Sequence, residues 1–476
     1  MIEPLGPRVQ SFLILVYASI RTRLISNQTH KVVSVMIAVD ANSDELAVPL
    51  RMLARDKIRH CTISAVPFWW RDAPPATGSQ ELPPEAADVL VIGSGFTGLS
   101  AALVLARAGR DVVVVDAGVP GYGASTRNGG QVGSGNQKFR VKTLIGMLGE
   151  RKAVALLREG VEMLDGIETL IREEKIECAL TRCGRFRGAM RPEHYEAMAR
   201  DMQDLKRYAG VESFTVPRNE QSQEVGTELF CGGSVLPMDA SLHPGAYHKG
   251  LMVRVVEAGV RVHANMAVRA IESERDGHVV SFTDRSIRAR DVLVATNGYT
   301  NGVGAYFRRR IVPVISAQIA TGPIAPQLLG TLMPKRRVCG NTNRVFFYFR
   351  CAPGENRLIW GGRAAHLTAE TSTAAYAHLA RDLLRVFPSL GDVPVSHAWS
   401  GTIGYTFDEF PHLGRSPAGV YYAMGILRHR RLARHTFWSQ DRAADARQAG
   451  GPLGFQRPRL SEPPIARIRS ARRLAL

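Results

Sequence analysis

Asp88–Asp116 reads DVLVIGSGFTGLSAALVLARAGRDVVVVD. Val89–Ile92 is apolar, β-branched and too short for a helix, which marks a strand buried on both faces. Gly93-x-Gly95-x-x-Gly98 follows at once, Leu99–Ala108 has helical composition, and Gly109 ends it. A second β-branched run, Val112–Val115, ends on the carboxylate of Asp116. Gly93 permits a tight turn, Gly95 lets a pyrophosphate approach the backbone, and Gly98 lets helix and strand pack closely. The helix N-terminus offers free N–H groups and partial positive charge to phosphates. Asp116 lies 23 positions after Gly93, where an acid can accept hydrogen bonds from an adenosine ribose. Strand, glycines, helix, strand and acid in one unit predict dinucleotide binding. The unit alone leaves FAD and NAD(P) both open.

The 476-residue chain has room for two or three cored domains, with an ordinary apolar fraction of 45% and charged fraction of 22%. Its six cysteines, Cys61, Cys178, Cys183, Cys231, Cys339 and Cys351, show neither CxxC pairing nor a metal-ligand rhythm. They read as the reduced thiols of a cytoplasmic protein without a metal site. A net charge of +18 would ordinarily raise nucleic acid or an anionic membrane as partners. The charge is uneven, however: residues 426–476 carry twelve Arg, no Lys and three acids, half of the total. Neither nucleic acid nor a membrane span is therefore expected.

Residues 1–63 lack a domain pattern and read as a poorly ordered N-terminal extension. Phe12–Ile20 is apolar but far short of the roughly 20 residues that cross a bilayer. VPFWWRDAPP, from Val66, reads as an aromatic-proline arm lying on the domain surface. After Asp116, residues 117–135 hold seven glycines, which neither helix nor strand favours, and so form a loop for close approach to a ligand. The alternative is a flexible surface loop. Val154, Leu157, Val161, Leu164, Ile167 and Ile171 form one helical face, and Pro192–Tyr208 a second helix with Pro192 in its first turn. A further helix is expected near Tyr247–Ala258. Short strands after Gly259 lead to Val292–Ala295, and the following Thr296-Asn297-Gly298 is a turn of the kind that brings backbone near a phosphate. Arg344–Arg350 and Arg357–Arg363 read as a hairpin.

These features together resemble the FAD-dependent amine or amino-acid oxidoreductases of the D-amino-acid oxidase superfamily, particularly the γ-glutamylputrescine oxidoreductase-like branch. The carrying segments are DVLVIGSGFTGLSAALVLA, GYGASTRNGGQ from Gly121, LHPGAY from Leu242, VLVATNGYT from Val292, WGGR from Trp360 and WSGTIGYTFDEFPHLG from Trp399. Asp116 stands where many FAD proteins have Glu. The resemblance implies an α/β fold (α+β overall), with a Rossmann-like FAD-binding domain from discontinuous segments and a substrate domain with a large antiparallel sheet. The expected division is 64–140, 231–300 and 399–425 for the FAD-binding domain. Residues 141–230, mainly helical, and 301–398 then form the substrate domain. FAD is the implied cofactor, held by Gly93, Ser94, Gly95, Phe96, Thr97, Gly98, Asp116 and Ala117. Ser125, Arg127, Asn128, Gly129 and Gly130 would face its pyrophosphate and isoalloxazine ring, Val268 its adenine, and Thr296, Asn297 and Gly298 complete the set. The implied chemistry is hydride transfer from a C–H beside nitrogen to flavin N5, giving an imine that water hydrolyses. A small amine or amino acid and oxygen or another electron acceptor are the expected partners.

Tyr348 and Arg350 are the candidates for the substrate pocket, Arg350 by pairing a carboxylate through two parallel hydrogen bonds. Their alternative is a solvated strand face. His243 and His412 read as structural, and Trp360 and Trp399 as core. After GVYYAMG the family has a glycine-rich turn and helix, whereas Ile426–Ala433 reads ILRHRRLA with no glycine until Gly450. Arg without Lys is expected when GC-rich DNA is read out of frame. Plausible codons for this stretch, read one base later, give F-C-G-T-G-V-S-L-A. Residues 426–476 are therefore expected to be a frameshift product, with an Arg-rich nucleic-acid tail or a solvated end as rivals. A frameshifted chain would bind FAD weakly, which leaves a non-catalytic flavin-fold protein as a further reading.

Overall fold

Val89–Ile92 lies at the centre of a parallel sheet in the computed structural model. The structure describes residues 48–54, 63–79, 81–134, 139–364 and 374–426. Phe12–Ile20 and all but the first residue of the Arg-rich tail lie outside them. The strands are β1 (Val48–Pro49), β2 (Ala86–Ile92), β3 (Val112–Val115), β4 (Gln131–Val132), β5 (Arg185–Gly188), β6 (Phe214–Val216) and β7 (Gly233–Leu236). They continue with β8 (Ala240–Ser241), β9 (Arg261–His263), β10 (Ala270–Glu274), β11 (Gly277–Ser281), β12 (Ser286–Val294) and β13 (Val312–Thr321). The last are β14 (Val338–Asn341), β15 (Tyr348–Cys351), β16 (Leu358–Arg363), β17 (Pro394–Tyr405), β18 (His412–Arg415) and β19 (Tyr421–Met424). The helices are α1 (Leu50–Ala54), α2 (Phe96–Arg107), α3 (Val141–Leu148), α4 (Glu150–Glu173), α5 (Pro192–Ala209), α6 (Pro244–Glu257), α7 (Ala305–Arg308), α8 (Pro326–Leu332) and α9 (Ala374–Val386).

The first sheet runs β19-β12-β2-β3-β9 in parallel, with β11 antiparallel to β12, β10 antiparallel to β11 and β18 antiparallel to β19. Strand alternation explains the unbroken apolar run. Val89, Val91, Val112 and Val114 pack with α2 and α6, while Leu90, Ile92, Val113 and Val115 pack with Val280, Ile287 and Tyr422 on the other face. The second sheet is mainly antiparallel, in the order β1-β17-β13-β16-β15-β14-β5-β7-β6. One face packs Phe186, Phe349 and Trp360 against Leu379, Leu383 and Phe387 of the α9 region. This is the α/β architecture expected, with its large, mainly antiparallel second sheet.

Several local readings need correction. Val48–Ala54 is not a loose extension: β1 pairs with β17, and Leu50 is buried in the second core. The aromatic arm is internal, with Phe68 and Trp69 buried as a short 3-10 turn. Strand β17 belongs to the large sheet along its whole length rather than to a cofactor segment 399–425, because its pairing with β13 runs from Val395 to Tyr405 and does not divide at Trp399. Strand β7 likewise pairs with β5 and β6 of the large sheet rather than joining the cofactor segment 231–300. The hairpin pairs β15 with β16, but strand geometry begins only at Tyr348. Helix α6 starts earlier than Tyr247 because Pro244 occupies its first turn and the His243 side chain caps it.

Candidate active site

The carbonyl ends of β2, β3 and β12 converge where an open parallel sheet forms its ligand crevice. Gly93 turns the chain at φ +104°, donating its N–H to Val115 O. A Cβ on Gly98 would stand 1.8 Å from Gly93 O, so the third glycine lets helix and turn meet. Gly95 is the N-cap of α2, and a Cβ there would stand 2.8 Å from Ser125 Oγ. That hydroxyl accepts from Phe96 N–H at 3.0 Å, which ties the glycine-rich loop to the helix N-terminus.

Asp116 Oδ2 accepts from both N–H and Oγ of Ser94, and Oδ1 from Gly118 N–H. Its remaining lone-pair capacity suits ribose hydroxyls. His248, buried on α6, meets Ser94 O through Nε2 at 2.8 Å and lies beneath Gly121. Burial pushes its pKa down, favouring the neutral ring as a fixed prop under the turn. Met266 N–H donates to Asp116 O, which brings the segment leading to buried Val268 beside the acid, while Ala117 is exposed next to it. Gly93 backs onto Ala295 and Thr296, and the Thr296 hydroxyl is buried without a hydrogen-bond partner among the described residues. Glycines with no room for side chains, a helix N-terminus and this orphaned hydroxyl fit a pyrophosphate-bearing cofactor.

Asn297 and Arg127 occupy different places from those expected of side chains facing a ligand. Asn297, at φ +50°, accepts from Gly425 and Ile426 N–H and donates to Ile426 O, so it fastens the chain there. Gly298 packs against Ile403 and Thr402. The Arg127 guanidinium lies against the Trp70 and Tyr122 rings and donates to Tyr122 O and Ser400 O. Three indoles hold the loop: Trp69 donates to Asn128 O, Trp70 to Thr126 Oγ1 and Trp399 to Arg127 O. Asn128 closes it from inside by accepting from Gly130 N–H and donating to Ser125 O.

This loop crosses one face of the large sheet. Register places Trp399, Gln318, Gly361, Tyr348, Gly340 and Arg187 side by side in a row of adjacent strands. Tyr348 lies across Gly361, within 2.7 Å of where a Gly129 Cβ would be. Gln318 Nε2 donates to Arg127 O, and its Oε1 is buried without a hydrogen-bond partner among the described residues. Tyr348 and the Gly129–Gly130 loop are thus brought together.

Arg350 is not available as a carboxylate clamp. It donates Nε to Cys351 O and Nη1 to both Gly130 O and Leu242 O. Neither edge of the fork keeps two adjacent donors, so two parallel bonds to a carboxylate cannot form. His243 Nδ1 caps α6, and His412 pairs with Asp408 at 2.9 Å. Trp360 and Trp399 are both buried. Sequence reasoning missed His248, Gln318 and the indole donors. Gln318, a lone amide within the apolar strand VPVISAQIAT, was the legible signal. Among the described residues no cluster of three or more His, Cys, Asp or Glu is placed to hold a metal, and no helix is long and apolar enough to cross a membrane.

The family model described as FAD dependent oxidoreductase matches residues 88–430. The chain is 30% identical to the probable oxidoreductase OrdL of Haemophilus influenzae over 352 residues, covering 72% of this chain and 79% of that protein. It is 30% identical to the γ-glutamylputrescine oxidoreductase of Escherichia coli K12 over 345 residues, with the same coverage. Among solved structures, glycine oxidase from Geobacillus kaustophilus superposes with a TM-score of 0.66 at 19% identity, covering 78% of this chain and 98% of that one.

Proposed function

This chain belongs to the FAD-dependent oxidoreductase family, and from that premise we propose that it oxidises the C–N bond of a small amine or amino acid to an imine. FAD, when bound, supplies the two-electron acceptor. Gly93–Gly98, Asp116, Ser125 and Thr296 would hold its phosphates and ribose, and Gly129–Gly130 would border its ring. The chain's contribution is to place the substrate carbon against that loop and keep water away.

The observation that carries this reading is the Arg127–Gly130 loop seated over Gln318 and Tyr348. Both side chains are uncharged polar groups, suited to orienting a neutral amine without a dedicated base. The test is anaerobic reduction of the FAD-loaded protein across amino acids and polyamine derivatives. Flavin bleaching by an amine supports the reading; no bleaching by any of them counts against it. Comparing peroxide release with dye reduction then separates oxygen from another acceptor.

A second reading, an inactive flavin-fold protein, rests on the sequence after Gly425. Resequencing the gene across codons 420–450 tests the frameshift. Full FAD occupancy and turnover by the chain as written would refute its functional consequence.

A further inference from the structure

Arg185 is only 6% exposed, yet its guanidinium is not fully paired. Its Nε donates to Asp239 at 2.6 Å and its Nη1 to Gln131 Oε1 at 3.0 Å. Its Nη2 is buried with no hydrogen-bond partner among the described residues. The side chain lines a cavity of about 50 Å³ between the β5–β7 part of the large sheet and α5. A second cavity of about 180 Å³ adjoins it, and the two share Arg187, Met198 and Asp201 in their walls. A buried charged donor left unmet is costly, and an anion is the acceptor that satisfies it best.

The walls favour negative charge. Arg140, Arg185 and Arg187 stand against a single lining carboxylate, Asp201, one oxygen of which already accepts from Val141 N–H. Burial pushes the Arg187 pKa down, and an anion beside it would offset the lost hydration. His194 Nδ1 meets Thr342 Oγ1 at 2.7 Å, which fixes the ring in the wall of the larger cavity. At about 30 Å³ per water that cavity holds about six, enough for a tetrahedral oxyanion with part of its hydration.

The cavities stand apart from the reacting face but are joined to it. Arg187 lies opposite Gly340, which lies opposite Tyr348, so two strand steps of roughly 4.8 Å separate it from Tyr348. Gln131, which accepts from Arg185, directly follows Gly129–Gly130 in the loop that would border the flavin ring.

We propose that these cavities bind a small inorganic oxyanion of the phosphate type, not a substrate, and that it acts as an effector of FAD retention. The anion gives Arg185 its missing partner, and a fully satisfied network holds Gln131 and the adjoining loop more firmly than a partly satisfied one. FAD affinity should rise in phosphate, and by linkage FAD should tighten phosphate by the same factor.

The test uses the FAD-loaded protein in inorganic phosphate and in potassium chloride of equal ionic strength. Equilibrium dialysis with labelled phosphate should find one phosphate per chain. Flavin release on dilution, followed by fluorescence, should slow about fivefold or more in phosphate and not in chloride. Arg187→Gln should abolish both the binding and the slowing. Met198→Trp, which fills the shared wall without removing a charge, should do the same and guards against a folding defect in the first variant. No bound phosphate, equal slowing by chloride, or wild-type responses in both variants would overturn the site. Binding that leaves flavin release unchanged overturns the effector role, and phosphate that competes with an oxidised amine returns the cavities to the substrate pocket. Failure to oxidise any amine counts against the oxidase reading alone, because binding and release are read without turnover.

Discussion

At the scale of single residues, the cofactor turn and the loop anchor make opposite predictions. Gly95→Val places a side chain against Ser125 where the phosphates would approach, so flavin content after denaturing release should fall severalfold. Equal content in variant and wild type would move the cofactor elsewhere. Gly98→Ala instead drives a methyl into Gly93 O and should cost about 1–3 kcal/mol of stability as an overpacked contact. Arg350→Ala removes a buried donor from Leu242 O and from Gly130 O, which keeps the N–H of Leu242, and should cost about 1–3 kcal/mol for the carbonyl left unsatisfied. Its effect on kcat/KM should be the same for carboxylated and plain amines, because it acts through the loop. A selective loss for the carboxylated amine would restore Arg350 to the pocket.

At the scale of elements, the short turn Phe68–Trp70 and strand β17 act on the Thr126–Asn128 loop from two sides through indole donors. Trp69→Phe keeps most of the buried ring and removes one hydrogen bond, which costs about 1 kcal/mol. FAD should then dissociate several times faster, with the melting temperature of the FAD-free protein only slightly lowered. Unchanged FAD dissociation would show that the loop holds itself. The elements themselves were largely legible: β2, α2 and β3 follow from apolar period and glycine placement, and α5 from Pro192 and its periodic face. The aromatic arm was not. Its two tryptophans donate to residues more than fifty positions away, and no local pattern encodes such a partner.

At the scale of the whole molecule, histidines held neutral by burial couple stability to pH. Burial pushes His243, His248, His263, His278 and His397 below the ordinary value of 6.5, His397 to about 4. Below pH 6.5 the unfolded chain binds protons that these folded sites refuse, so stability falls as pH falls, until about pH 4 for His397. One such site contributes at most about 1.4 kcal/mol per pH unit in that window. Asp201 and Asp382, whose carboxyls burial pushes up, oppose this on the acid side. The melting temperature should therefore decline from pH 6.5 to 4, less steeply in His397→Asn; parallel slopes would remove His397 as a contributor. By itself the sequence determined the β2–α2–β3 unit, because strand, turn and helix there are local and each glycine answers a local steric demand. It also carried the family resemblance. Only the tertiary structure decided which arginine faces a cavity. RFRG and YFR are equally plausible hosts in one dimension, yet Arg350 meets three backbone carbonyls, whereas Arg185 retains a buried donor beside open space. That outcome depends on which strands become neighbours, and sheet register joins residues far apart in the chain.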